Sequence, residues 1–349
     1  MSPSPQQTLA LALDPTLLFE LRGLAPDPWQ REFLRSTAPR ILLNCSRQAG
    51  KSTAVAALAL HTALFRRDSL ILLLSRSQRQ SSELFRKVVA FYQAVESHAV
   101  KVAGVGMITG WGRGVEALPA DAAAAADGRY VVAIPRPAPP GDRLRRATRE
   151  CLLGIGAVEE LLRTVAVPGS ELAGPGTALL YVTASAYGAA NRAFLEGGGG
   201  TLHFPYTAPS AVPAEVAIEY GLCGAYVNFI GGAAATVDAL WYAGGLLERG
   251  ACTQALVLAV ETFAECADLY RRARWLAVGP LVEAAACALL RPGGGPAEYD
   301  PDPVGVDLAR RRTGQTFACE PLIALAVAGG DPAAVAGRWR GRPAGLRRL

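Results

Sequence analysis

The sequence predicts a layered α/β protein built in two successive parts, and three observations carry that prediction. Short apolar runs of strand length alternate with helical stretches along most of the 349 residues. The alternation restarts near residues 96–101, where VKVAGVGM follows a helical pattern and ends in a glycine-bearing turn. With 51% hydrophobic residues, the chain can bury one large core or two ordinary ones.

Taken in order, PWQREFLRS (28–36) opens with Pro at a helix start and spaces Trp29 and Phe33 four apart, which predicts a short amphipathic helix. RILLN (40–44) reads as a buried strand, CSRQAGKS (45–52) as a loop and TAVAALALHTALF (53–65) as a helix. LILLLS (70–75) reads as a second strand and QSSELFRKVVAFYQAV (80–95) as a second helix. The second part runs strand (101–107), an irregular Pro/Ala/Gly-rich stretch (118–142), helix (143–163), strand (177–185) and helix (211–221). Strand (225–230), an apolar helix (232–250), and strands 254–261 and 285–292 complete it. GGGG (197–200) and RPGGGPAEYDPDP (291–303) read as turn or linker, and the terminal RWRGRPAGLRRL as a solvated basic tail. The expected division is residues 1–97, 98–332 and a tail 333–349.

Composition narrows the function classes. No apolar run reaches the roughly 18 residues a membrane-spanning helix needs, and the start, MSPSPQQTLALALDP, lacks the basic region of a signal peptide, so a cytoplasmic protein is expected. Seven cysteines without CxxC pairing and three histidines leave little for a zinc site, and reduced, mostly buried thiols are expected. His203, in TLHFPY, reads as structural or surface. Residues 1–95 hold 12 Lys/Arg against 6 Asp/Glu, so the basic excess lies in the first part, which suits a nucleotide or polyanion and equally a solvated surface.

CSRQAGKS stands between the expected strand and helix, the context in which backbone N–H groups and a helix N-terminus cradle phosphates. Cys45 stands where GxxxxGK[ST] has its first glycine, and a helix start carrying a chance GKS is the plainer alternative. DPWQREFLRS, RILLNCSRQAGKST and LILLLSRSQRQSSELFRKV together resemble the start of a phage terminase large subunit, a P-loop ATPase of βαβα beginning, over about residues 25–95. The resemblance implies Trp29 and Gln30 near the adenine and Arg47, Gly50, Lys51 and Thr53 around the phosphates. It places Ser52 on Mg, with ATP and Mg as the cofactors. The acidic strand end and nuclease carboxylates of such a motor do not follow, so DNA is not an expected partner.

VKVAGVGMITGWGRGVEAL (100–118) and GLCGAYVNFIGGAAATVDALWYAGGLLERGACTQALVLAVETF (221–263) resemble the β-ketoacyl synthases, acyltransferases of the thiolase fold. The second segment matches G-x-x-V at 224–227 and A-L-x-x-A at 239–243. In active members a cysteine begins the buried helix after the strand, where the helix dipole favours the thiolate. Aligned without a gap, Ala233 stands at that cysteine. Of the two histidines the family uses to stabilise charge, one segment is absent and the other reads TGQTFACEPLIALAVAG, with Gln315 in the histidine's place. Close packing of a helix on a strand would equally explain GGAAAT.

The resemblance therefore implies a shortened, catalytically silent, chain-length-factor-like subunit of fatty acid, polyketide or polyene type. It would pair with an active synthase or with itself along an edge strand, for which 254–261 is the candidate, and would meet an acyl carrier protein. An ATP-binding terminase-like fragment, or a fusion of two truncated genes without selected activity, are the alternatives.

Overall fold

A computed structural model describes residues 5–46, 48–95, 98–139, 141–198, 204–273, 279–300, 303, 307–331 and 335–348. It divides into two units, Met1–His98 and Ala99–Leu349, each with its own core.

The first unit is helical: α1 (Pro5–Leu13), α2 (Leu17–Leu21), α3 (Pro28–Arg35), α4 (Lys51–Phe65) and α5 (Gln78–Val95). α3 starts at Pro28 because Gln30 folds back to accept the Asp27 N–H at 2.9 Å, while proline needs no acceptor there. Leu18, Phe19, Phe33, Ala57, Leu60 and Phe91 form the core. The strands expected at 40–44 and 70–75 are absent: both segments run without secondary structure and without a ladder. The βαβα beginning is thus corrected to helices joined by irregular segments. Apolar content alone does not make a strand, because a strand exists only through its hydrogen-bonded neighbour and a parallel sheet needs cover on both faces. Here Leu42 is 93% exposed, and Leu70, Leu72 and Leu74 are 85%, 70% and 87% exposed.

The second unit begins with β1 (His98–Thr109), β2 (Gly112–Arg113), α6 (Ala122–Ala126), β3 (Val131–Val132), α7 (Arg149–Val165), β4 (Thr177–Thr183), α8 (Gly188–Ala193) and α9 (Ala211–Tyr220). It continues with β5 (Tyr226–Ile230), α10 (Ala233–Glu248), β6 (Gln254–Glu261), α11 (Ala267–Arg272), β7 (Leu281–Val282) and β8 (Ala284–Asp300). The last elements are α12 (Asp307–Thr313), α13 (Glu320–Val327), β9 (Ala336–Trp339) and β10 (Arg342–Arg348). The main sheet runs β2-β1-β8-β6-β4-β5, with β10 joining β8 and β9. β4 is parallel to β5 and β6, whereas β8 is antiparallel to β6.

β4 and β6 are buried along almost their whole length, so they read as continuous apolar runs. Alternate side chains (Leu179 and Tyr181, Leu256 and Leu258, Cys287 and Leu289) pack with α7 and α9. α10 and α13 pack on the sheet as well. Gly106 explains the VAGVG motif structurally: a Cβ there would collide with the backbone of Leu161, so β1 and α7 cross in direct contact.

Three expectations change. β6 is paired on both sides, so 254–261 is not a free edge; among the described residues β5 is an edge strand, paired with β4. The linker expected at 291–303 is strand through Asp300, because β10 gives it a partner from Gly345↔Asp300 to Arg348↔Ala297. The basic tail is the hairpin β9–β10, with Gly337, Ala344 and Leu346 turned inward and Arg338 and Arg340 outward.

Candidate functional site

The position that the sequence singles out is the start of α10. β5 ends at Ile230, and Gly232, with non-helical backbone angles, hands the chain to a helix whose first residue is Ala233, 1% exposed. This is a strand, tight turn and buried helix N-terminus, where unpaired N–H groups and the helix dipole favour an anion. A methyl group stands there. β9 crosses directly above it: a Cβ on Gly337 would lie 2.6 Å from the Ala233 Cβ, and the Trp339 ring leaves no room for a Cβ on Gly232.

An aromatic cluster continues from Trp339. The Phe317 ring lies 4.8 Å from Trp339 and 4.9 Å from Phe263, and Phe263 lies 5.3 Å from Tyr270. Phe317 sits at φ +47°, a left-handed conformation unusual for a bulky residue. Thr236 ties this segment to the helix by donating to the Ala318 carbonyl at 2.6 Å. Gln315 lies two residues ahead of Phe317, buried, with its backbone bridged to β7 through Pro280 and Val282.

Beside the cluster, Glu261 ends β6 fully buried. Its carboxylate accepts from the Ala184 N–H at 2.5 Å, the Ser185 N–H at 3.1 Å and the Ser185 hydroxyl at 2.9 Å, with the Ala318 N–H at 3.4 Å. Burial pushes its pKa from the ordinary 4.5 up to about 7. Burial also pushes the Cys151 thiol up to about 12 and raises those of Cys287 and Cys319, so these cysteines stay protonated. The Cys319 thiol donates to the Ala284 carbonyl at 3.3 Å. A cavity of about 530 Å³ opens elsewhere, between β1, α7 and the turn after α13, with Glu160 in its wall held by Arg163 at 2.5 Å.

Glu261, Phe317, Gly337 and Trp339 escaped the sequence reading. The one signal for the last two was period-2 alternation in GRWRG, masked by its arginines.

In the first unit, Gly50 (φ +77°) precedes α4 and Gln48 (φ +64°) shares its left-handed conformation. Lys51 folds back to donate to the carbonyls of Cys45 at 2.9 Å and Ser46 at 2.5 Å. Gln30 lies directly against Gly50, Trp29 packs on the core, Ser52 is exposed, and the Thr53 hydroxyl accepts from Lys87 of α5 at 3.4 Å. Arg47 and His203 lie outside the described residues. His61 lies 3.0 Å from the Leu11 carbonyl, a structural contact. No group of three or more His, Cys, Asp or Glu gathers as a metal site among the described residues, and none of their helices is long and apolar enough to cross a membrane.

The layered sheet with its central buried helix is similar in fold to solved ketosynthase chains of thiolase-like architecture. The structure is similar to a chain of AntDE:AntF, a type II PKS acyl-carrier protein in complex with its ketosynthase bound to the hexaketide, over 72% of this chain and 99% of that chain, at 15% identity and a TM-score of 0.54. It also matches the ishigamide ketosynthase/chain length factor (73% of this chain, 100% of that chain, 17% identity, TM-score 0.49). A third match is the ketosynthase ApeO in complex with its chain length factor ApeC from Xenorhabdus doucetiae (72% and 99%, 12% identity, TM-score 0.48). No family model and no curated protein matches the sequence.

Proposed function

We propose that the second unit is a catalytically silent β-ketoacyl-synthase-like subunit of the fatty acid, polyketide or polyene type. The observation that carries this is Ala233 at the first position of α10, buried under β9. Its side chain has no lone pair to attack a thioester, and burial holds Cys151, Cys287 and Cys319 as thiols. Gln315, in place of a histidine, cannot carry a positive charge toward an enolate.

The partner is an active synthase or a second copy of this chain, joined through β5. That strand bears no charged residue, carries exposed Tyr226 and Ile230, and, among the described residues, leaves one row of backbone groups without a neighbouring strand. The AntDE:AntF neighbour contains an acyl-carrier protein, and a carrier of that kind is the second partner we assign. The test is to incubate the purified chain with acyl-carrier-protein thioesters and weigh it by mass spectrometry. An unchanged mass is expected; an acyl adduct on any cysteine overturns the silent reading.

A second reading concerns the first unit alone. The left-handed Gln48 and Gly50, with Lys51 turned into the loop at the head of α4, suit a phosphate cradle for ATP, with Ser52 on Mg. The exposed leucines of 40–44 and 70–75 favour instead a fragment fused without selected activity. Nucleotide affinity decides between them: Lys51→Ala weakens binding at least about tenfold if the loop works through its charge, and equal affinities remove the loop from consideration.

A further inference from the structure

Replacing a nucleophile removes the attacking atom but leaves room for the substrate. Here the room is filled as well. The geometry points to the β9–β10 hairpin as a fixed seal over the start of α10, closing the acyl position whatever residue stands at 233. The inference rests on the reading that Ala233 occupies the thiol position of active synthases.

Gly337 lies so close to the Ala233 Cβ that only glycine fits, and Trp339 covers Gly232. Both contacts come from one strand, and that strand is anchored on several sides. β10 pairs with β8 as well as with β9, and the Leu346 N–H donates to the Val335 carbonyl at 2.9 Å. α10 itself holds the hairpin through Asp238, which accepts from Arg342 at 2.7 and 2.8 Å and from the Tyr299 hydroxyl at 2.8 Å. Trp339 is held in turn by Phe317, whose segment Thr236 of α10 binds. Helix, sheet and aromatic cluster thus fix the same covering strand, so the seal belongs to the ground state of the fold.

Hydrogen exchange on the full chain tests this. The amides of Ala233 and Ala234 have no acceptor within their own helix, so solvent access controls their exchange. They are expected to exchange slowly in the wild type and at least about tenfold faster in Trp339→Ala. Exchange at the rate of an exposed peptide in the wild type overturns the seal, and this measurement needs no variant.

A chemical probe adds a second arm: iodoacetamide on Ala233→Cys, read by peptide mass spectrometry with exposed Cys223 as the internal reference. The introduced thiol is expected to react at least about tenfold more slowly than Cys223, and to approach it in Ala233→Cys/Trp339→Ala. Equal reactivity in the single variant overturns the seal. A reactive introduced thiol in a chain whose wild type forms no acyl adduct sinks the seal and spares the silent reading. A wild-type adduct sinks the silent reading independently of the exchange rates.

Discussion

Glu261 is held by N–H and hydroxyl donors from two separated segments, 183–185 and 318, and, among the described residues, by no cation. Its raised pKa has a definite sign for stability. Between pH 4.5 and about 7 the folded chain keeps a proton that the unfolded chain has lost, so unfolding releases it and rising pH favours unfolding. The stabilisation is complete below pH 4.5 and is lost as pH rises through about 7, amounting to about 3 kcal/mol at 1.4 kcal/mol per pKa unit. Tyr181, Tyr270 and Cys319 face the same region, and burial raises their pKa values away from this window. Glu261→Gln should therefore flatten the decline in denaturant midpoint between pH 5 and 8; an unchanged slope assigns the decline to other groups. Nothing local in QALVLAVE announces this carboxylate as buried, because its donors lie far off in the chain. The start of α10 at Ala233, by contrast, lies where the strand expected at 225–230 gives way to the helix expected at 232–250.

Elements made by continuous burial were the easiest to read. β6 matches its expected span of 254–261, and β4 and α10 lie within theirs, because strands covered on both faces and a helix covered all round leave unbroken apolar runs. β9 and β10 were illegible for the opposite reason: arginines alternate with the inward residues, and charge concealed the strand period. The segments at 40–44 and 70–75 show the converse failure, apolar runs with no strand beside them. At the crossing of β1 and α7 the spacing leaves no room for a side chain, so Gly106→Ala should lower unfolding stability by about 3 kcal/mol. Equilibrium urea denaturation checks it, and a loss below about 1 kcal/mol would mean that β1 can shift away from α7.

At the scale of the whole molecule, the chain joins a unit with a complete layered core to one whose outer leucines stay in water. The incompleteness of the first unit did not show in the sequence, since Leu42 and Leu72 are as apolar in their runs as Leu256. A bare leucine row binds hydrophobic dyes and other chains. Leu70→Lys/Leu72→Lys/Leu74→Lys should cut dye fluorescence and raise solubility while leaving helical circular dichroism intact; lost helicity would show that these leucines pack after all.

The hairpin at 336–348 also sets an order of events. Ala233 lies about a hundred residues before the strand that covers it, so a ribosome that has finished α10 still has to make β6, β8 and α13 before β9 exists. Until then the first turn of α10 stands open to water, and β8 lacks its partner beyond Ala297. Closure of this unit is a late, non-local step, of the kind that loop-closure entropy makes slow.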